Sequence, residues 1–246
     1  EDTTKQHYMY YFDPEYVTAM RVPGFDPHMD IAVFAGLLTE EQIKDYKRIK
    51  KLLDDKSEVS DDEKKVYVFY TDTRGDAKVI NFSAVYGAGP AKIAKTLGCT
   101  LEFARVLHTA YWGRNKAVKQ VANAVHTKVV EVPNYQELGV PQYQMWLHNP
   151  VSNFYYTLRN QKDIFSTLNQ GTGVYCFDTW LSKVRRKGIK IMLQYHDEIG
   201  FPLLKEDEEK VKQVLLTAIE ETNQQIRLNV PLGVSVDFGV NYAEIH

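Results

Sequence analysis

The sequence predicts a mixed α and β fold, of the α+β class, in which helices predominate and the sheet is small. Strand patterning is confined to a strand–turn–strand at residues 189–204 and a final strand near residues 233–238. Helical periodicity covers four long stretches, residues 72–97, 100–126, 163–187 and 206–227. A hydrophobic fraction of 44% and a charged fraction of 25% are typical of a globular protein with a substantial core.

The N-terminal part combines an aromatic, proline-rich stretch with a strongly charged one. Residues 8–36 favour loops, with one short helix after Pro27 that carries His28 in its first turn. Thr39 and the acidic and amide residues after it predict a capped helix start. The mixed charges of residues 39–66 then favour a solvated helix and an exposed connection over a phosphate-binding surface.

Glycine and proline mark the breaks between later elements. A Gly/Pro break at residues 87–90 ends one helix, and Pro90 suits the first turn of the next. Residues 130–155 contain three prolines and are predicted to be irregular. The long helix of residues 163–187 is predicted to stop at Gly188.

Charge, cysteine spacing and hydropathy limit which partners and compartment the sequence predicts. The 30 basic and 32 acidic residues give a net charge of −2, so any nucleic-acid surface must be local. Cys99 and Cys176 match neither disulfide nor metal spacing and indicate a reducing, intracellular compartment. No apolar run reaches the length of a membrane span and no signal peptide is visible, so no membrane partner is predicted.

The stretch "QYHDEIGFPL", residues 194–203, places His196, Asp197 and Glu198 between two apolar segments. Adjacent carboxylates at a strand turn present two hard oxygen ligands, which suit Mg²⁺ when phosphate oxygens and water complete its shell. Acidic residues are also frequent in plain β-turns. The motif alone therefore leaves a metal site and an ordinary turn as equal alternatives.

A second pattern, "RGDAKVINFSAVYG", spans residues 74–87. On a helix, Arg74, Lys78 and Phe82 share one face, and Tyr86 continues that face with some drift. Two cations followed by two aromatic rings suit a nucleotide, whose phosphates, sugar and base they would contact. A surface helix that buries its aromatic residues in the core explains the periodicity as well.

The third pattern, "NQGTG" at residues 169–173, lies within a predicted helix. Gln170 can donate and accept at the minor-groove edge of a base pair, a contact that is nearly independent of sequence. The small residues Gly171, Thr172 and Gly173 are predicted to let another backbone approach closely. Ordinary packing of a helix against a sheet is the alternative.

In this order, the three patterns resemble the C-terminal half of the family A, or DNA polymerase I-like, DNA polymerases, and most of all the bacteriophage members. "RGDAKVINFSAVYG" is similar to that family's motif B on the fingers helix, and "QYHDEIGF" is similar to motif C in the palm. "FDPHMDIA" resembles the segment that starts the fingers, and the terminal "NYAEIH" resembles the family's ending in a histidine close to the palm. The resemblance covers essentially the whole chain.

The resemblance implies a right-hand polymerase fold, with a palm sheet and a helical fingers subdomain, and with the thumb and exonuclease domains absent from this sequence. It implies three regions, which are residues 1–26 as a palm segment after motif A, residues 27–130 as the fingers, and residues 131–246 as the palm with the motif C hairpin and the C-terminal helix.

The resemblance also implies a role for each motif residue. Asp197 and Glu198 would be the acidic residues at the catalytic metal ions, and His196 would lie near the primer terminus. The other implied contacts are to the triphosphate (Arg74, Lys78, His28), the sugar (Phe82), the templating base (Tyr86), the minor groove (Gln170) and the DNA backbone (Lys162, Arg159).

The reaction implied in this way is template-directed addition of deoxynucleotides (dNTPs) to the primer 3′ end of primer–template DNA. Two Mg²⁺ ions, with Mn²⁺ as an alternative, would clamp the attacking 3′-oxygen and the leaving pyrophosphate oxygen. Phe82 implies discrimination against dideoxynucleotides, since Tyr at that position lets them in. The implied location is the cytoplasm, which is that of the host cell for a bacteriophage protein.

One motif of the family is incomplete in this sequence. Motif A has an Asp followed by a Glu in a "D-x4-E" pattern, and counting back from Phe12 and Asp13 places Glu1 at that Glu, as a steric gate against a ribose 2′-hydroxyl. The Asp would lie before Glu1. The sequence therefore predicts that a second polypeptide, either the other subunit of a split polymerase or the other product of a cleaved precursor, supplies motif A, the rest of the palm and the thumb, with or without an exonuclease domain. Without it, this chain is predicted to be inactive.

Three other interpretations explain less of the sequence. A non-catalytic DNA-binding or scaffold subunit of a polymerase complex stays open because the motif A Asp is missing. A single-subunit RNA polymerase fragment usually has Tyr in place of Phe82 and "HDS" in place of "HDE". A nuclease built on Asp197 and Glu198 leaves the Arg74 face and Gln170 unexplained.

Overall fold

The computed structural model describes residues 2–245, which are mostly helical. Its α-helices are, in chain order, α1 Asp2–Met9, α2 Pro14–Met20, α3 Pro27–Phe34, α4 Glu40–Asp54, α5 Asp61–Val85, α6 Pro90–Leu97, α7 Leu101–Arg114, α8 Lys116–Ala124, α9 Tyr135–Leu138, α10 Ile164–Arg186 and α11 Glu208–Ile226. Within residues 2–245, no helix combines the length and the apolar character needed to cross a membrane.

The strands form two small antiparallel sheets, which confirms the predicted mixed α and β class. They are β1 Thr127–Glu131, β2 Tyr143–His148, β3 Tyr155–Leu158, β4 Leu193–Tyr195 and β5 Glu198–Gly200. The first sheet has the order β1–β2–β3, and β4 and β5 form a separate hairpin. The predicted strand–turn–strand and the long helix that ends before Gly188 are both confirmed.

The chain divides into two compact units, which we name by their content. The sheet unit comprises the described residues of 1–11, 125–159 and 167–246 and contains both sheets. The helical unit comprises residues 12–124 and 160–166.

In the helical unit, α3, α5 and α7 pack together around a buried apolar core. Beside this core, Arg114 of α7 binds Asp30 of α3 through two hydrogen bonds, from Nε at 2.8 Å and from Nη2 at 3.2 Å. The Arg114 guanidinium also lies 3.8 Å from the centroid of the Tyr16 ring, whose hydroxyl donates to Asp30 at 2.8 Å. This bidentate, stacked arrangement compensates two charges that are largely removed from water.

The long helix α5 begins earlier than its apolar periodicity indicated. Its start is set by a capping box, in which the Ser60 hydroxyl accepts from the Glu63 N–H at 3.3 Å and the Glu63 carboxylate accepts from the Ser60 N–H at 3.0 Å. Hydrogen bonds from Ser60 and Arg48 lower the pKa of Glu63 to about 2. Much of the stretch predicted as an exposed connection is therefore the first turns of α5, because the cap and not apolar spacing fixes the helix start.

Residues 8–36 contain more helix than predicted. α2 begins at Pro14 and is capped by Asp13, whose carboxylate accepts from the Tyr16 N–H at 3.1 Å. α3 begins at Pro27, as predicted. In both helices the proline occupies the first turn, where its missing N–H needs no partner, so these prolines mark helix starts and not loops.

Residues 130–155 are not irregular, contrary to the sequence prediction. They contain β2 and the ends of its two neighbours, in a register that pairs Val129 with Met145 and Trp146 with Thr157. The prolines lie in the connections between the strands, which is where a sheet tolerates them. Their presence therefore marked the loops of this sheet and did not exclude its strands.

The core of the sheet unit lies between α10 and α11 and includes Trp180, Val184, Leu215 and Ile219. Half-buried apolar side chains from β5, from the residues after it and from residues 232–236 pack against this core. The β4–β5 hairpin is thus supported by a two-helix layer.

The predicted final strand near residues 233–238 does not form. Val234 and Val236 are half-buried and alternate with exposed residues, as in a strand. Leu232 uses its N–H and C=O on the side chain of Asn223, at 2.8 and 3.0 Å. Beyond it, residues 233–238 make no backbone hydrogen bond to any other described residue. The alternation of half-buried and exposed side chains that predicted a strand is present, but these residues do not pair with another described strand.

A buried polar network joins α1 to α10 and to the β2–β3 connection. The hydroxyls of Tyr8 and Thr172 are hydrogen-bonded at 2.6 Å, and Asn149 Nδ2 donates to Thr172 Oγ1 at 2.9 Å. Thr4 donates to Asn169 Oδ1 at 2.7 Å. Since buried polar groups are costly without partners, these bonds fix the N-terminal helix on the sheet unit.

His7 of α1 links the stability of the sheet unit to pH. It is 5% exposed, and its Nδ1 accepts a hydrogen bond from the Asn229 N–H at 3.0 Å. Burial lowers the pKa of His7 to about 4. The unfolded chain binds the proton near the ordinary histidine pKa and the folded chain does not. The stabilisation is therefore complete above about pH 6.5 and is lost as the pH falls toward 4.

We predict that His7 alone lowers the free energy of unfolding by about 2 kcal/mol between about pH 7 and about pH 5. Urea unfolding followed by tryptophan fluorescence at both pH values measures this. His7→Gln keeps an acceptor for Asn229 but cannot titrate, so this part of the pH dependence should disappear. The exposed His126 is the matched control, since His126→Gln should retain it. Equal pH dependence in His7→Gln and the native chain would contradict the prediction.

Candidate functional site

His196 and Asp197 form the two-residue turn of the β4–β5 hairpin, since Tyr195 pairs with Glu198. His196 has φ +52°, a left-handed conformation that suits the tight turns joining antiparallel strands. Both turn residues are exposed, and Glu198 is half-buried. The Asp197 carboxylate is therefore open to a ligand at the tip of the hairpin.

Tyr242, near the C-terminus, is a neighbour of Glu198 that sequence reasoning missed. Desolvation and the Glu198 carboxylate, with which the hydroxyl is hydrogen-bonded, raise the pKa of Tyr242. The terminal stretch "NYAEIH" thus comes next to the hairpin at Tyr242. Glu1 and His246, for which the sequence predicted roles, lie outside the described residues.

The carboxylates of Asp197 and Glu198 are hard oxygen ligands of the kind that Mg²⁺ prefers. In the part of the chain that the structure describes, no cluster of three or more His, Cys, Asp or Glu side chains could hold a metal ion. The pair fits a Mg²⁺ site that shares its coordination with phosphate oxygens and water, rather than an all-protein cage.

A groove of about 480 Å³ lies beside the hairpin within the sheet unit, and we call it the hairpin groove. Asp197 and Glu198 belong to its lining, together with apolar residues of α10, α11 and β5. Residues 232–238 line it as well, and Asp237 adds a third carboxylate. The hairpin groove therefore combines an apolar wall, acidic groups and a segment whose backbone is not hydrogen-bonded to another residue within 2–245.

In the helical unit, Lys78, Phe82 and Tyr86 line a second groove of about 420 Å³, as their spacing predicted, and we call it the α5 groove. Phe82 and Tyr86 are each 41% exposed, so the alternative that buries these rings in the core is wrong. Lys92 of α6 contributes a second cation, which sequence reasoning missed. The α5 groove offers two ammonium groups and two ring faces to a ligand.

His28 is held beside Phe82 by a contact with α5. Asn81 Nδ2 lies 2.9 Å from His28 Nδ1 and donates to the Pro27 carbonyl at 3.2 Å. The ring centroids of His28 and Phe82 are 6.0 Å apart. Asn81 was not predicted to matter, although a buried polar residue in the middle of α5 was a signal for such a role.

Arg74, one turn before Lys78 on α5, is bonded to α3. Its Nε donates to Asp26 Oδ2 at 2.5 Å, and the two side chains are only 33% and 20% exposed. Burial alone would raise the pKa of Asp26, but the hydrogen bonds from Arg74 and from the Met29 N–H outweigh burial and lower it. Arg74 does not line the α5 groove itself.

Gln170 is exposed on α10 and belongs to the sheet unit. At the neighbouring Gly171, the Tyr156 ring lies only 2.8 Å from the position that a Cβ would occupy. A residue with a side chain would therefore collide with this ring. The prediction that another backbone approaches here is wrong, since a tyrosine ring does. Around Gly173, a Cβ would meet no described atom within 4 Å.

Arg159 and Lys162, the candidates for DNA backbone contacts, fall in different units. Arg159 is exposed directly after β3. Lys162 lies against the C-terminal end of α5, where a Cβ at Gly87 would be 3.3 Å from its Cδ. Gly87 has φ +75°, so a side chain is disfavoured there for conformational reasons as well.

Comparison with known sequences gives a family. The chain matches the family model described as DNA polymerase family A over residues 57–244. It is 25% identical to DNA polymerase I of Borreliella burgdorferi over 177 residues, which are 69% of this chain and 19% of that protein. It is 24% identical to DNA polymerase I of Helicobacter pylori strain J99 over 178 residues, which are 70% of this chain and 19% of that protein. The chain spans about a fifth of the length of these relatives.

The fold is similar to that of a solved structure described as the POL domain of Pol1 from M. smegmatis in complex with DNA primer-template and dNTP. The TM-score is 0.64, over 98% of this chain and 39% of that one, at 17% sequence identity. This likeness shows the fold, whereas the family model covers well over half of the chain and includes both the α5 face and the hairpin. The chain belongs to DNA polymerase family A.

Proposed function

We propose that this chain is the fingers and palm part of a template-directed DNA polymerase, with residues 27–130 as fingers and residues 1–26 and 131–246 as palm. The α5 groove carries the proposal, because exposed rings beside ammonium groups suit a nucleotide and are otherwise unfavourable on a helix surface. The ligands proposed are primer–template DNA and dNTPs, which the similar solved structure is described as containing. The motif resemblance supports the bacteriophage group.

The incoming dNTP would occupy the helical unit. Arg74 and Lys78 would bind its triphosphate, because their charge neutralises the negative charge that develops as the bond to pyrophosphate breaks. His28 would contact the distal phosphates. Phe82 would pack on the sugar, and Tyr86 would lie by the templating base.

Asp197 and Glu198 of the sheet unit would hold two Mg²⁺ ions, with Mn²⁺ as a substitute, together with phosphate oxygens of the substrate. When bound, the metal ions activate the primer 3′-hydroxyl and neutralise the leaving pyrophosphate. Asp197 supplies the open carboxylate of the pair, and Tyr242 orients Glu198 through its hydroxyl. His196 would lie near the primer terminus.

The remaining proposed contacts position the DNA and select the sugar. Gln170 would contact the minor groove of the primer–template, where its amide can donate and accept without reading the sequence. Lys162 and Arg159 would bind the DNA backbone. Glu1 would exclude a ribose 2′-hydroxyl.

We also propose that a second polypeptide completes the metal site and the palm. Two carboxylates are few for two Mg²⁺ ions, and the hairpin groove is lined by residues 233–238, whose backbone groups form no hydrogen bond with any other described residue. A β-strand from the rest of the polymerase would pair with these residues, cover the apolar wall and bring an acidic residue toward Asp197. We propose that this strand is motif A, and that its polypeptide also supplies the thumb.

Asp197→Ala should lower the kcat of primer extension by the assembled polymerase at least about a hundredfold, because a ligand for the catalytic metal ions is lost. The affinity for primer–template DNA, measured by fluorescence anisotropy, should stay within about twofold. Glu206→Ala is the control, since Glu206 is also an exposed carboxylate but lines neither groove. Unchanged synthesis in Asp197→Ala would favour the non-catalytic scaffold subunit instead.

Phe82→Tyr should raise the incorporation of dideoxynucleotides at least about tenfold, because the added hydroxyl replaces a hydrogen bond that the missing sugar 3′-hydroxyl otherwise makes. The measurement is the ratio of kcat/KM for ddATP to that for dATP. Phe69→Tyr makes the same change on an α5 residue that is 51% exposed but lies outside the α5 groove, so the ratio should not move. Efficient termination by dideoxynucleotides in the native polymerase would refute the assignment of Phe82 to the sugar.

Binding of the remaining polymerase polypeptide should slow amide hydrogen exchange in residues 233–238 at least about tenfold, because their N–H groups become paired. Val236→Lys places a charge in the hairpin groove and should abolish both this protection and primer extension, whereas Val240→Lys, at a side chain that is 89% exposed and outside the groove lining, should preserve them. Robust primer extension by the isolated chain of 246 residues would contradict the need for a partner.

A further inference from the structure

The carboxylate of Asp26 is bonded to a helix end and to a cation at the same time. Its Oδ1 accepts from the N–H groups of His28 and Met29, at 2.9 and 3.2 Å, and so caps α3. Its Oδ2 accepts from Arg74 Nε at 2.5 Å. A single side chain therefore fixes both the first turn of α3, where His28 lies, and a guanidinium of α5.

The contact with Asp26 leaves the outer edge of the Arg74 guanidinium available. Nε makes the hydrogen bond, and neither terminal nitrogen has a hydrogen bond or ion pair with another described residue. The terminal nitrogens of arginine form a planar fork that binds phosphate oxygens in pairs. With a side chain that is 33% exposed, Arg74 can present this fork to an anion.

The second carboxylate–arginine pair of α3 differs in this respect. Arg114 uses both Nε and Nη2 on the two oxygens of Asp30, and the face of its guanidinium lies on the Tyr16 ring. One of its terminal nitrogens is thus already bonded inside the fold. We call the Asp30–Arg114 pair closed, because it uses a terminal nitrogen of the arginine as well as Nε. We call the Asp26–Arg74 pair open, because it uses Nε alone.

We infer that Asp26 is a positioning residue for nucleotide binding, which anchors Nε of Arg74 so that the terminal nitrogens meet the triphosphate. The inference rests on the proposed function. An unanchored arginine loses rotamer freedom when it binds a phosphate, and an anchored one has lost it already, so the anchor strengthens binding. Asp26 does not compete with the phosphate for the fork, because its two oxygens are occupied by the helix cap and by Nε.

Asp26→Asn separates the two functions of this carboxylate. Asn caps a helix as well as Asp does, so α3 keeps its first turn. The amide nitrogen then faces Nε, and two donors cannot hydrogen-bond, so Arg74 loses its anchor.

The test is steady-state primer extension by the complete polymerase with dATP as the varied substrate. Asp26→Asn should raise the KM for dATP about tenfold and leave kcat within about twofold. Asp30→Asn disrupts the closed pair of the same helix, so it should lower the melting temperature but leave the KM within about twofold. In an Arg74→Ala background, Asp26→Asn should change the KM by less than about twofold, because no guanidinium remains for Asp26 to anchor.

Two results would overturn the inference while leaving the nucleotide site in place. One is a native KM in Asp26→Asn beside a raised KM in Arg74→Ala. The other is an equal increase in KM on Asp26→Asn in the native and the Arg74→Ala backgrounds, which would show that the substitution acts through the fold. An unchanged KM in Arg74→Ala would refute the proposed triphosphate contact, and the inference would fall with it.

Discussion

The helical unit depends on two carboxylates of α3 that bind arginines of two other helices, Asp26 with Arg74 of α5 and Asp30 with Arg114 of α7. α3 has only eight residues, and a helix of that length is unstable alone in water. The ion pairs and the buried apolar residues of α3 therefore set its position. Removing either arginine would leave a half-buried carboxylate without its charge partner, which is strongly destabilising. The place of His28 beside the α5 groove follows from the contacts of Asp26, which caps the turn that contains His28.

The features of the fold that depend on a few adjacent residues could be predicted from the sequence. The capping pattern at Thr39 and the first-turn prolines Pro27 and Pro90 predicted three helix starts correctly. The sheet of residues 127–158 was missed because the prolines of its connections look, in sequence, like those of an irregular segment. The strand predicted at residues 233–238 failed for the opposite reason. Alternation of side chains is local and can be seen in the sequence, whereas pairing needs a second strand.

In the candidate site, helical spacing predicted which residues share a face but not what they bind. Lys78, Phe82 and Tyr86 line one groove, as their four-residue spacing requires. Arg74 has the same spacing, yet its guanidinium is bonded to Asp26, which lies 48 positions earlier in the sequence. Helical periodicity cannot predict such a contact, because the contact depends on how α3 packs against α5. The difference between an open and a closed arginine pair is likewise a matter of packing and cannot be seen in a sequence.

The candidate sites of the two units carry side chains of opposite charge. The cations of the helical unit attract a triphosphate, whereas Asp197 and Glu198 repel one, by about 1 kcal/mol for each pair of like charges 4 Å apart in water and by more where water is excluded. A divalent cation reverses that repulsion, because it binds carboxylate and phosphate oxygens together. Under the proposed function, a Mg²⁺–dNTP complex is the ligand that suits both surfaces. Under the same proposal, substrate phosphate oxygens and an acidic residue of the second polypeptide would complete the coordination that Asp197 and Glu198 leave open.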